Sequence, residues 1–236
     1  MRIKLLLLIF LISFAGISQE EIEAKPMFSQ EITKNINTYV KKSQLAYHDK
    51  DYARADFLYD SLVQNVILNT YLDNFKVKKC SGKEIEMSKF EKPMILLSTA
   101  SWCTPSSGTI PALNEIANTF GNNIDFVVLY WDTKENAKKA SKEFKKNIQI
   151  VYVDELDNKG AAAVKDMKHS LGLPTCFLLD ENKKIIDIRR TVIHPYHTEY
   201  AISYEENYDA FYAGVQLLKP SITIQTSLEV IGTDKN

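Results

Sequence analysis

The chain of 236 residues has only three cysteines, Cys80, Cys103 and Cys176, too few for a disulfide scaffold in an oxidising compartment. An odd number leaves at least one thiol free or paired with another molecule. Histidine is scarce too, at four residues, and the close pair His194 and His197 around Pro195-Tyr196 has no Cys, Asp or third His near it in sequence. A metal site needs three or four ligands, so this stretch reads as a surface loop and no metal is implied. Charge of one sign is also missing. The balance of 29 basic against 30 acidic side chains excludes the strong field that nucleic acid or an anionic membrane would require. No run of apolar residues approaches the roughly 18 to 20 that a membrane helix needs.

The longest apolar run, residues 5–15, has 11 residues, is preceded by Arg2 and Lys4, and is followed by the small residues Gly16 and Ser18. This order of basic start, apolar core and small residues before a cut reads as a cleavable secretory signal over residues 1–18. It predicts export to the periplasm or cell exterior, with no stable membrane insertion after cleavage. The first cysteine is Cys80, so no thiol stands near the cut to take a lipid anchor. Losing the two basic residues of the segment moves the net charge from −1 to about −3. A content of 45% hydrophobic residues supports one ordinary core, and the length allows one domain plus an appendage.

Periodicity orders the rest. Ile32, Ile36, Val40 and Leu45 recur near helical spacing, as do Tyr52, Ala55, Leu58, Leu62 and Val66 after the turn-like residues 48–51. Two antiparallel helices are predicted within an N-terminal region, residues 19–73. Their wording resembles one tetratricopeptide hairpin, but a single copy cannot build a solenoid, and a small helical appendage is the simpler reading. Residues 75–79 and 84–87 alternate around Ser81-Gly82, the pattern of a β-hairpin. Strands are predicted at 94–98, 126–130, 151–153, 176–179 and 184–189. Helices are predicted from Cys103 through Phe120, over 134–146 with its lysines facing solvent, over 161–169 and over 207–218. The result is an α/β domain over residues 74–220, a mixed sheet covered on both faces, with a loosely held tail at 221–236.

The chemistry concentrates at Trp102-Cys103-Thr104-Pro105-Ser106. A cysteine that begins a helix meets unpaired N–H groups and the positive end of the dipole, which favour thiolate over thiol. The second position of a Cys-x-x-Cys pair is Ser106, and a serine oxygen cannot displace a partner from a mixed disulfide as a thiolate does. Cys176, inside a predicted strand, reads as core, and Cys80 reads as facing away from this site.

Trp102-Cys103-x-Pro105, the pair Ile110-Pro111, the inserted helix near residues 134–146 and Gly172-Leu173-Pro174-Thr175 together resemble exported thioredoxin-fold proteins of the TlpA/ResA type, over residues 75–218. The resemblance implies a thioredoxin fold, a cis Pro174 facing Cys103, and a bound polypeptide paired to the backbone at Leu173. It implies protein thiols or disulfides as partners, with a second thiol, on the substrate or from an external thiol reductant, to release the mixed disulfide; no cofactor is implied. Trp102 then forms a lip of the groove, Thr104 and Pro105 shape the turn, Ser106 donates to the thiolate, and Leu173, Pro174 and Thr175 hold the partner chain. Three departures stand out: Ser106 for the resolving cysteine, Thr109 where related reductases often carry Glu, and Leu97 where thioredoxins keep a buried Asp. Peroxiredoxins share the fold, but their Pro-x-x-x-Thr-x-x-Cys pattern would need Leu96 and Ala100 to be proline and threonine. Two functions remain: monothiol thiol-disulfide exchange through Cys103, or a redox-inactive module that uses the same groove to bind a peptide or protein.

Overall fold

Phe28, Ile32 and Ile36 are buried along one face of the first helix, α1 (Phe28–His48). Asp73 starts that helix from a distance, its carboxylate accepting from the Ser29 amide at 2.9 Å and the Ser29 hydroxyl at 2.7 Å. These bonds occupy a donor that a helix N-terminus leaves free. The second helix, α2 (Tyr52–Leu62), is capped by Asp51, whose side chain accepts from the Arg54 amide at 2.9 Å, and runs into one π-helical turn, Val63–Ile67. The computed structural model describes residues 25–155, 164–190 and 198–233, with side chains over 25–155, 166–190 and 198–219. The predicted signal at 1–18, residues 161–163 of a predicted helix and the pair His194 and His197 lie outside these residues.

The strands are β1 (Lys76–Lys79), β2 (Glu84–Glu86), β3 (Met94–Thr99), β4 (Asp125–Tyr130), β5 (Ile148–Tyr152), β6 (Thr175–Leu179) and β7 (Ile185–Arg190). They form one sheet in the order β2-β1-β5-β4-β3-β6-β7. β3, β4 and β5 are parallel, and the pairs at both flanks are antiparallel. Alternate residues feed two cores, because successive side chains of a strand point to opposite faces. Met94 and Leu96 of β3, Val127 and Leu129 of β4, and Phe177 and Leu179 of β6 join Phe28, Ile32, Ile36, Leu62 and Ile67 on one face. Ile95, Leu97, Phe126, Val128 and Leu178 face the other, under α3 (Thr109–Phe120), α4 (Lys134–Ala140) and the C-terminal helix α5 (Tyr200–Thr233). This is the thioredoxin fold with an N-terminal hairpin added at one edge of its sheet.

The helical pair docks on the sheet, with the Phe28 ring edge-on to Phe177 at 6.1 Å between centroids. The expected apolar stripe does not stay buried to its end: Val40, Leu45 and Tyr52 are exposed. The second half of α1 buries only small residues, Ser43 and Ala46, while Tyr47 interacts with Arg190 at the end of β7. α5 begins earlier than the predicted start at 207, at Tyr200, and its helical backbone continues to Thr233 where a loosely held tail is expected.

Phe28→Ala removes the edge-on partner of Phe177 from the first core. We expect it to destabilise the whole domain by about 3–5 kcal/mol, read as a shift of a single urea transition. Melting of the helical pair alone, with the sheet transition unmoved, would show that the pair folds independently.

Candidate functional site

β3 is hydrogen-bonded along both edges, to β4 and to β6, and all six of its residues are buried. The chain leaves its end through Ala100, whose carbonyl accepts from the Cys103 amide at 3.0 Å, and passes Trp102, which is 67% exposed. Cys103 itself is half-buried, and Thr104 and Pro105 are exposed. The predicted helix does not begin here. α3 starts at Thr109, six residues later, with Gly108 as its N-cap. The reason lies in tertiary packing: Gly108 lies against the backbone of α5, where a Cβ would stand 2.2 Å from the Tyr204 nitrogen, and its amide donates to Ser203 Oγ at 3.0 Å. The free N–H groups of the helix are therefore not at the sulfur, and the dipole argument for Cys103 does not apply.

The loop is held on both shoulders. On one, the Ser101 amide (3.2 Å) and hydroxyl both donate to Asp132 Oδ2, while Asp132 Oδ1 accepts from the Thr133 amide at 2.9 Å and Asn136 Nδ2 at 2.7 Å. Asp132 follows Trp131, which is anchored by its ring N–H to Ser98 Oγ at 2.8 Å and stacks on Phe75. Partial burial pushes the Asp132 pKa up, but the hydrogen bonds from Ser101, Asn136 and Thr133 outweigh it and hold the carboxyl below its ordinary value. With both oxygens occupied and ionised, it anchors the turn and carries no proton.

On the other shoulder stand Ser106, Thr109 and Asn207. Asn207 Nδ2 donates to Ser106 Oγ at 3.0 Å and to the Ser203 carbonyl at 2.7 Å, which fixes the orientation of the amide. Thr109 Oγ1 donates to Asn207 Oδ1 at 3.0 Å. Its single proton is then spent, so at the 2.7 Å contact between Ser106 Oγ and Thr109 Oγ1 the serine is the donor. The ring is closed. Ser106 therefore does not donate to a Cys103 thiolate as expected, because its one proton already points at Thr109.

The third element is the loop before β6. The peptide Leu173-Pro174 is cis, as the resemblance implies, and Gly172 at φ +80° turns the chain into it in a conformation other residues avoid. Ser98 pairs with Thr175, so Pro174 lies at the end of the sheet from which the Cys103 loop departs. Leu173 is half-buried against the first core, and Thr175 is fully buried with its hydroxyl donating to the Gly172 carbonyl at 2.9 Å. The three thiols differ sharply. Cys176 lies in β6 and is buried in the second core, and burial pushes its thiol up to about 12. Tyr130 is also pushed up to about 12, first by burial and then by its electrostatic interaction with Cys103 and Cys80. Among the described residues no three His, Cys, Asp or Glu side chains gather as a metal site, and no helix is long and apolar enough to cross a membrane.

The AhpC/TSA family model matches residues 69–188, which is the sheet from before β1 through most of β7 together with the Cys103 and Pro174 loops. The chain belongs to the AhpC/TSA family. Within it, this member is 24% identical over 116 residues to the thioredoxin-like protein YneN of Bacillus subtilis, across 49% of this chain and 66% of that protein, just short of two thirds of the relative. The thioredoxin domain of a thiol-disulfide oxidoreductase from Bacteroides vulgatus aligns at a TM-score of 0.48 and 17% identity, over 63% of this chain and 97% of that one. A thiol:disulfide interchange protein from Bacteroides sp. aligns at 0.45 and 20%, over 52% and 80%. AhpC/TSA membership does not restore the peroxiredoxin pattern. Leu96 sits in mid-β3 between two paired strands, where a proline would forfeit a ladder bond.

Asp132, Ser203 and Asn207 went unseen in the sequence, although signals exist. Asp132 is the first acidic residue past the end of a parallel strand, the end where α/β sheets place their sites. Ser203 and Asn207 lie on the same helical stripe as Phe211, Val215 and Leu218, and all five are buried. Polar residues on a buried stripe must find partners.

Two outcomes follow for this AhpC/TSA member. Gly108→Ala drives a methyl into the α5 backbone, and we expect a loss of about 1–3 kcal/mol in chemical denaturation together with release of the Ser203 contact. Asp132 has a folded pKa below the unfolded value of about 3.9, so its stabilisation is present above that value and fades as pH falls through the folded one. Asp132→Asn should flatten the acid limb of the stability curve below about pH 4, and an unchanged acid limb would assign that limb to other carboxylates.

Proposed function

We propose that the protein is an exported thiol-disulfide oxidoreductase of the TlpA/ResA type that works through one thiol, Cys103. The observation that supports this most is the contrast among the sulfurs. Cys103 is half-buried on a loop beside exposed Trp102, at the cis-Pro174 end of the sheet, whereas Cys176 is sealed in the core with its thiol pushed up to about 12. The names of the relatives, a thioredoxin-like protein and thiol-disulfide oxidoreductases, agree with this reading, and the basic, apolar and small-residue order of residues 1–18 supports export.

In the first step the Cys103 thiolate attacks one sulfur of a substrate disulfide. The substrate S–S bond breaks, a Cys103 mixed disulfide forms, and the second substrate sulfur leaves as a thiolate. An external thiol, as its thiolate, then attacks the mixed disulfide, restores the Cys103 thiolate and departs bonded to the substrate sulfur. Ser106 takes no part in either bond exchange. Trp102 forms a lip, Thr104 and Pro105 shape the turn, and the backbone at Leu173 and Pro174 pairs with the polypeptide partner. Thr175 acts through the loop it holds to Gly172.

A second reading has one specific observation in its favour. The carboxylate beside the loop, Asp132, has both oxygens bonded, and no second thiol stands at Ser106. A redox-inactive module that binds a peptide in the same groove needs neither.

Incubating the purified protein with glutathione disulfide and mapping adducts by mass spectrometry separates the two. We expect one glutathione on Cys103, released by dithiothreitol and absent in Cys103→Ala, with Cys176 modified only after unfolding. A native protein whose Cys103 takes no adduct would leave the binding module as the function.

A further inference from the structure

We infer that Asn207 is a positioning residue for the reactive loop, and that the Ser106–Thr109–Asn207 ring ties the loop to the C-terminal helix at the position where a resolving thiol would otherwise stand. The inference rests on the proposed role of Cys103 and adds to it a group from outside the matched family region, which ends at residue 188.

Four observations support it. First, the ring is closed: each of its protons meets an acceptor, at 2.7, 3.0 and 3.0 Å. Second, it is dry on the helix side. Asn207 and Ser203 are each 1% exposed and Thr109 3%, and opening a buried polar ring leaves groups unpaired at a cost that an exposed ring would not incur. Third, a neighbouring contact runs in parallel, from the Gly108 amide to Ser203 Oγ at 3.0 Å, with the glycine pressed on the α5 backbone. Fourth, Ser106 is three residues from Cys103 and five from the other pinned shoulder at Ser101, so the chain between has little slack. A thiol at 106 would be a poor replacement, since S–H is a weak donor and sulfur a weak acceptor. The ring accounts for a hydroxyl at this position in terms of the chain's own packing.

The test is a double-mutant cycle. Thr109→Val and Asn207→Leu each open the same ring, Thr109→Ser preserves it, and Asn114→Leu is the control. Asn114 is a buried side chain on the same helix α3 that bonds Glu143 O at 2.9 Å and the Lys145 amide at 2.8 Å, away from the loop. The readouts are the rate of Cys103 alkylation by iodoacetamide from pH 5 to 9, hydrogen exchange at the Gly108 amide, and melting temperature. We expect Thr109→Val and Asn207→Leu each to speed alkylation by about fivefold and to expose Gly108, with the double variant no faster than either single one. Thr109→Ser should match the native rate, and Asn114→Leu should melt lower with the native rate. Ring variants that melt lower yet keep the native alkylation profile would overturn the inference, as would strictly additive effects. Alkylation needs no disulfide, so a protein that refuses glutathione disulfide but still shows the cycle would refute the oxidoreductase reading alone.

Discussion

β3 is the constraint on which the rest depends. Its backbone is hydrogen-bonded on both sides, and its six side chains alternate between two cores, so neither its direction nor its register can change without emptying both. Whatever leaves its C-terminal end is therefore delivered to one place, the edge shared with Thr175 and the cis Leu173-Pro174 peptide. The strand brings the loop of Cys103 to that place. It also forbids proline at position 96.

Beyond the strand the loop owes its shape to polar groups rather than to apolar packing. A carboxylate with both oxygens occupied holds one shoulder, and a closed ring of side-chain hydrogen bonds holds the other. Between them Trp102, Thr104 and Pro105 are exposed and Cys103 is half-buried. Buried polar groups are costly when unpaired and directional when paired, which suits them to place a backbone. The C-terminal helix thus does more than cover the sheet: it reaches the Cys103 loop through Ser203 and Asn207.

Much of this was legible along the chain. Alternation located the hairpin and apolar runs located the other strands, although β5 spans Ile148–Tyr152 rather than 151–153, and the Trp102-Cys103-x-Pro105 and Gly172-Leu173-Pro174 segments marked the two loops at one end of the sheet. Three readings failed for the same kind of reason. The helix after Cys103 starts at Thr109 because α5 occupies the space beside Gly108. Ser106 donates to Thr109 because Asn207, 101 residues away, takes up the hydroxyl that would otherwise do so. Val40 and Leu45 are exposed because the second half of α1 turns Ser43 and Ala46 inward instead.

Alternation and helical spacing are local, and each reports which face of an element is apolar, so the sequence by itself determined the order of elements, the two-faced sheet, the place of Cys103 just past β3 and the serine at position 106. Hydrogen-bond partners far apart in the chain leave no such trace, because any nearby donor or acceptor satisfies a serine or an asparagine equally well. Only the tertiary structure decided which ones they meet: Ser101 with Asp132, Ser106 with Thr109 and Asn207, Gly108 with Ser203.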